Sequence, residues 1–230
     1  MGVRKICETY EKAPALSAQK GEHVVSVDEK TGIQAVERNQ PTLPTKRGSV
    51  ERIEFDYTRH GTLCLIDNFD VVTGKIISPM VGPTRAEADF AANIAQVIDT
   101  DPDATWTFVA DQLNTHQSES LVRLVAERCE LTDDLGVKGE IGHLESLKTR
   151  KAFLEDSNHR IRFVYTPRHA SWLNQVEIWF SILARRVLKR GSFSSLEDLK
   201  TKLLAFISYF NTILAKPFKW TYKGKPLQGA

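Results

Sequence analysis

Short apolar runs closed off by turn residues recur along this chain, and their order constrains the fold more than any other feature. Residues 23–28, HVVSVD, read as a short buried strand that ends on an acid. After a proline-containing stretch over 31–52 that reads as a loop, residues 53–57, 61–67 and 71–78 form a strand meander, with Asn68-Phe69-Asp70 as a turn. Strand and helix then alternate. Thr84 and Glu87 suit a capping box for a helix running to about residue 98, with Ala88, Ala91, Ala92, Ala95 and Ile98 on one face. Residues 105–110 form a strand that ends at Asp111, 118–129 a helix, 160–166 a strand stopped by Pro167, and 175–189 and 195–211 helices. On the first of these two helices, Val176, Trp179, Phe180, Leu183 and Val187 share a face. The order predicts an α/β fold, a mixed sheet with helices on both faces.

Three segments fall outside this rhythm. Residues 1–20 are polar and irregular and read as a lead, residues 132–150 have three glycines and no clear period, and residues 216–230 form a basic aromatic tail. With 230 residues and 41% hydrophobic content, one large core over residues 21–215 is expected. Three cysteines, at 7, 64 and 129, form no Cys-x-x-Cys pair, so neither a disulfide framework nor a zinc knuckle is encoded. No apolar run approaches the roughly 18 residues of a membrane span, and residues 1–23 lack a signal-peptide centre. A cytoplasmic protein without membrane contact is expected.

The net charge of +2 hides a dipole. Residues 1–150 carry 17 Lys and Arg against 24 Asp and Glu, net −7; residues 151–230 carry 14 against 5, net +9. Such asymmetry fits a polyanion partner for the C-terminal part, or basic decoration of solvated helix faces.

In open α/β sheets sites gather beyond the strand ends, and two strands here end in Asp28 and Asp111. Each could merely start a turn. Together they suit a hard divalent cation, which takes carboxylates, water and substrate phosphate, and hence phosphodiester cleavage. Glu177, at the start of the helix after residue 174, could complete the set. If Asn174 caps that helix, Glu177 also has the spacing of a capping-box glutamate.

The segments VSVDEKTG, YTRHGT, VADQLNTH and HASWLNQVEIWFS together resemble the catalytic domain of bacterial insertion-sequence transposases of the mariner superfamily, group six-thirty. The resemblance runs from about residue 10 to residue 227 and implies a ribonuclease H-like DDE endonuclease. It places the catalytic and metal-binding acids at Asp28, Asp111 and Glu177, holding two magnesium ions for which manganese can substitute. It further implies cleavage at transposon ends, attack of the freed 3′-hydroxyl on target DNA, and double-stranded DNA as partner to a homodimer, in a bacterial nucleoid-associated setting.

Three departures stand out. The second and third acids are 66 positions apart, wider than the superfamily norm, so residues 130–160 read as an insertion, which closure entropy tolerates. Gln112 replaces the usual asparagine after Asp111. Only 27 residues precede Asp28, so the relatives' N-terminal helix-turn-helix modules are expected to be absent.

The candidate DNA contacts are Arg168, His169, Trp172, Arg185, Arg186, Lys189 and Arg190, and the supporting residues are Asn114, His116 and Asn174. The cations at 185–190 could equally serve a helix dipole, Trp172 the core, and His116 local backbone. The tail, KPFKWTYKGKPL, suits either a nucleic-acid arm or a docked terminus. The alternative to an active transposase is a truncated or decayed remnant that binds DNA without transposing. A paired-carboxylate glycosidase fits the basic C-terminal part poorly, and no Walker or dinucleotide fingerprint is present.

Overall fold

The computed structural model describes residues 2–40, 43, 45–50 and 56–224. Its centre is a five-stranded sheet of β1 (His23–Arg38), β2 (Tyr57–Asp70), β3 (Ile76–Gly82), β4 (Trp106–Ala110) and β5 (Ile161–Tyr165), in the order β3-β2-β1-β4-β5. β1–β2 and β2–β3 pair antiparallel, while β1–β4 and β4–β5 pair parallel, so the described part of the expected meander is two strands, β2 and β3. Successive strand residues face opposite sides. Val25, Phe108 and Phe163 meet α2 (Glu87–Ile98), α3 (Glu119–Arg128) and α4 (Leu147–Leu154) on one face. Val24, Val109 and Val164 meet α1 (Gly2–Lys20) on the other, where α5 (Val176–Leu183) and α6 (Leu196–Tyr209) also cover β1 and β2 through Ile33, Leu65 and Phe69. This is the expected mixed sheet with helices on both faces.

Several boundaries differ from the sequence-based expectation. Residues 2–20 are not a polar lead but helix α1, which buries Ile6, Cys7, Tyr10 and Ala13 at helical spacing despite Pro14. β1 continues to Arg38, where a loop was expected; irregular pairing between Lys30 and Ile33 and between Gln34 and Val36 breaks its alternation and hides it from a period-two pattern. The Asn68–Asp70 turn moves three residues on. Asn68 is fully buried and donates to Ile77 O at 3.0 Å, whereas Asp70 accepts from the Val72 and Thr73 N–H groups and so starts the real turn. Gly74 closes that turn at φ +72°, and a Cβ there would lie 2.1 Å from the Lys216 backbone.

On α2 the buried residues are Phe90, Ala91, Asn93, Ile94, Val97 and Ile98; of the expected face Ala91 and Ile98 are buried, while Ala88 and Ala92 are exposed. Its first turn is tied by Asp89, which accepts from the Thr84 hydroxyl and the Ala86 N–H, both at 2.7 Å. Within the expected insertion, Ser146 caps α4, and Leu144, Phe153 and Leu154 enter the core, so this segment is part of the helix layer. The helix after residue 175 widens to a π-turn over Ala184–Leu188. The tail docks: Phe218 stacks on Phe69 at 4.5 Å and Trp220 meets Tyr10 edge-on at 5.1 Å. Its last residues, 225–230, and most of the strand expected over 53–57 lie outside the described residues. No described helix is long and apolar enough to cross a membrane.

Candidate active site

The parallel pairing of β1 and β4 sets the site. Ser26 pairs with Val109, so two positions further on Asp28, inside β1 where its pairing with β4 stops, and Asp111, just past the end of β4, lie side by side. Burial first, and then the Asp111 charge, push the Asp28 carboxyl up to about 7. Asp111 is more open and is held below the usual carboxylate range. Burial opposes its ionisation, but the hydrogen bond and charge of His116, the Leu113 N–H at 2.9 Å and the Arg85 charge outweigh burial.

His116 is fully buried between two acids, its Nδ1 2.7 Å from Asp111 and its Nε2 2.9 Å from Glu29. Burial alone would lower its pKa, yet the hydrogen bonds to Asp111 and Glu29 raise it to about 10, so the ring is an imidazolium donating to both carboxylates. Phe90 packs on the ring at 4.2 Å, and the Tyr165 hydroxyl donates to the His116 carbonyl at 2.6 Å. Gln112, the departure beside Asp111, donates to Thr166 O at 2.8 Å and so links the ends of β4 and β5.

Asn174 is not the N-cap of α5, contrary to the capping-box expectation: Gln175 takes that position, and Asn174 ends the 3-10 turn Ser171–Leu173. It is fully buried, and its amide donates to Val27 O at 2.9 Å and to Asp28 Oδ2 at 3.3 Å, while its Oδ1 accepts from the Ser26 hydroxyl. That hydroxyl oxygen accepts in turn from Val176 N–H at 2.9 Å. Ser26 and Asn174 therefore fasten the start of α5 to β1 beside Asp28. Tyr10 of α1 adds a bond from its hydroxyl to Leu173 O at 3.0 Å. Glu177 falls in the first turn of α5, half-buried; its carboxylate makes no hydrogen bond or ion pair among the described residues.

Two acids absent from the sequence-based set belong to this neighbourhood. Glu29 is the acid behind His116, and its Oε1 is buried without a partner among the described residues. Asp67 pairs with Asp28 across β1 and β2, is fully buried, and accepts from Trp179 Nε1 at 2.6 Å. Burial pushes its carboxyl up to about 7. The available signal was phase: Asp67 alternates with Leu65 and Phe69 and so faces the helix layer.

Ligand-type atoms of Asp28, Glu29 and His116 lie within 4.8 Å of one another. The His116 imidazolium, with both nitrogens donating to carboxylates, has no lone pair for a metal, but the carboxylate oxygens of Asp28 and Glu29, one of them buried without a partner among the described residues, fit a hard divalent cation; Asp111 and Glu177 are not part of this cluster. All seven candidate DNA contacts are exposed, with Trp172 54% exposed and edge-on to Tyr222 rather than in the core. Arg168 and His169 occupy the loop after β5, and Arg185, Arg186, Lys189 and Arg190 the turn after α5; Asn114 is exposed on the 3-10 turn that carries His116.

The family profile described as DDE superfamily endonuclease matches residues 23–200, from the start of β1 into α6. The chain belongs to that family. Among solved structures, this DDE chain is similar to the Mos1 transposase paired-end complex with left transposon end, at 15% identity and TM-score 0.52, covering 90% of this chain and 55% of that one. It is similar to the Mos1 mariner paired-end complex with Mn at 14% identity and TM-score 0.52, covering 90% and 55%. It is also similar to the catalytic domain of Mos1 mariner transposase at 12% identity and TM-score 0.50, covering 90% and 81%. The chain thus spans little more than half the length of the transposase in the paired-end complexes, and shares with it the ribonuclease H-like catalytic fold. No curated protein matches the sequence.

Proposed function

We propose that this chain is the catalytic domain of a metal-dependent DNA transposase of the bacterial insertion-sequence type, which cuts DNA at transposon ends and joins the freed 3′-hydroxyl to target DNA. The observation that carries the reading is the pair of carboxylates that the parallel β1–β4 register sets side by side, one inside β1 and one just past β4, the former buried and raised to about 7 by burial and its neighbour. That both Mos1 complexes are paired-end assemblies, one with Mn, supports the same reading.

In this account Asp28, Asp111 and Glu177 hold two magnesium ions, or manganese in their place. When bound, such a pair supplies activation of the attacking hydroxyl and stabilisation of the leaving oxygen. The protein's own work is positional. Asn174 orients Asp28, and the His116 imidazolium orients Asp111 while Glu29 fixes the ring from behind. Arg168, His169, Trp172 and the cations at 185–190 meet the DNA, with Asn114 beside the pocket. The acting species on DNA is a homodimer, in the bacterial cytoplasm.

Nicking of supercoiled plasmid should require magnesium or manganese and stop in chelator. Activity that persists in chelator would contradict the metal assignment.

A further inference from the structure

Helix α5 carries Glu177, and two polar bonds pin that helix to the sheet. The first is at its start, where the Val176 N–H donates to the Ser26 hydroxyl oxygen of β1 at 2.9 Å. The second lies three residues on, where fully buried Trp179 donates from Nε1 to Asp67 Oδ2 of β2 at 2.6 Å. Asp67 stands in the inward row of β2 between Leu65 and Phe69, directly across from Asp28. Packing alone does not call for an acid there. An apolar side chain would continue the row, whereas the Asp67 carboxyl is fully buried and its Oδ1 has no partner among the described residues. The bond from Trp179 is the one hydrogen bond that carboxyl makes among them.

Helix geometry gives the bond a consequence for the site. At about 100° per residue, Val176, Phe180 and Leu183 form the buried stripe of α5, and Trp179 and Glu177 fall on its two flanks, about 200° apart. The Trp179 flank is turned towards β2, so the Glu177 flank is turned the other way, towards the β1 and β4 side of the sheet where the two aspartates stand. A hydrogen bond is directional, so anchoring the indole sets the roll of the helix about its axis, and any roll swings the Glu177 carboxylate. We propose that Asp67 and Trp179 are positioning residues, whose buried bond fixes the roll of α5 and with it the direction in which the Glu177 carboxylate points. The proposal rests on the metal-dependent DNA-cleaving reading above.

The test measures manganese affinity by calorimetry beside metal-dependent nicking of supercoiled plasmid, in the whole chain. Trp179→Phe keeps an aromatic ring and loses the N–H; Asp67→Leu loses the acceptor. Each should weaken manganese binding and slow nicking by about tenfold or more, the usual cost of removing a group that orients a metal ligand. Asp67→Asn keeps an acceptor and should recover most of both. Trp179→Phe decides the matter if Asp67→Leu fails to fold. Because the bond acts through Glu177, Trp179→Phe should cost much less manganese affinity in a Glu177→Gln background than in wild type. Wild-type manganese affinity and rate in Trp179→Phe, an equal loss in both backgrounds, or a loss in Asp67→Asn as deep as in Asp67→Leu overturns the proposal and leaves the DNA-cleaving reading intact. A wild-type chain that neither binds manganese nor nicks plasmid overturns both.

Discussion

Asp67 shows what a single buried carboxylate costs this fold. Its folded pKa of about 7 lies above the ordinary 3.8, so the folded state binds the proton more tightly than the unfolded chain does. Stability from this group is therefore full below about pH 4 and is lost as pH rises towards 7. The linkage amounts to a penalty on the order of 4 kcal/mol once the carboxyl ionises. Asp67→Asn keeps an acceptor for the Trp179 indole without the charge. It should melt several degrees above wild type at pH 8 and within a degree or two of it at pH 4; a variant less stable at pH 8 would show that the ionised carboxylate is worth more to the fold than its burial costs. Asp28, its neighbour across the strand pair, carries the same sign of penalty, and the residues around it explain why it is kept: Asn174, Ser26 and Glu29 are all spent on holding it.

At the scale of elements, α1 is the largest departure from what the sequence announced. Its buried residues, Ile6, Tyr10 and Ala13, are few and separated by Glu, Lys and Thr, and Pro14 argues against a helix, so periodicity alone misses it. Tertiary burial decides: these side chains close over Val24, Val109 and Val164, a sheet face that would otherwise meet water. Ile6→Ala should cost about 2–5 kcal/mol in urea unfolding, as for a fully buried aliphatic. A cost near zero would return residues 2–20 to the status of a lead. By contrast β4, α3 and β5 were legible nearly to the residue, because Asp111, Ser118 and Pro167 punctuate them. The acid pair was legible for the same reason: both aspartates end apolar runs. Local spacing lets Asn174 suit a cap, but its partners, Ser26 and Asp28, lie about 150 residues away in sequence, where no local pattern shows them. Glu29 stayed invisible because nothing local shows which histidine it meets.

For the whole molecule, the split of −7 and +9 between residues 1–150 and 151–230 now has a structural counterpart: the exposed cations after β5 and after α5 belong to the basic part, and the acid pair to the other. Phosphate contacts release counterions and carry no base information, so binding to random duplex should weaken steeply as salt rises. Arg185→Ala combined with Arg186→Ala should weaken binding at every sequence and flatten the salt slope by about one to two units. A tenfold preference for one terminal sequence at physiological salt would reveal a specificity determinant within this chain.

The central claim is that Asp28, Asp111 and Glu177 act together on a phosphodiester, and the most direct test is the rate of metal-dependent plasmid nicking by Asp28→Asn, Asp111→Asn and Glu177→Gln beside their melting temperatures and DNA affinities. Because the Glu177 carboxylate makes no cap and no ion pair among the described residues, its glutamine variant should melt within a few degrees of wild type. All three variants should bind DNA as well as wild type or better, since each removes a negative charge beside the scissile phosphate. Cleavage should fall by orders of magnitude in each. Near wild-type nicking by any one of the three, in folded protein, would contradict the assignment.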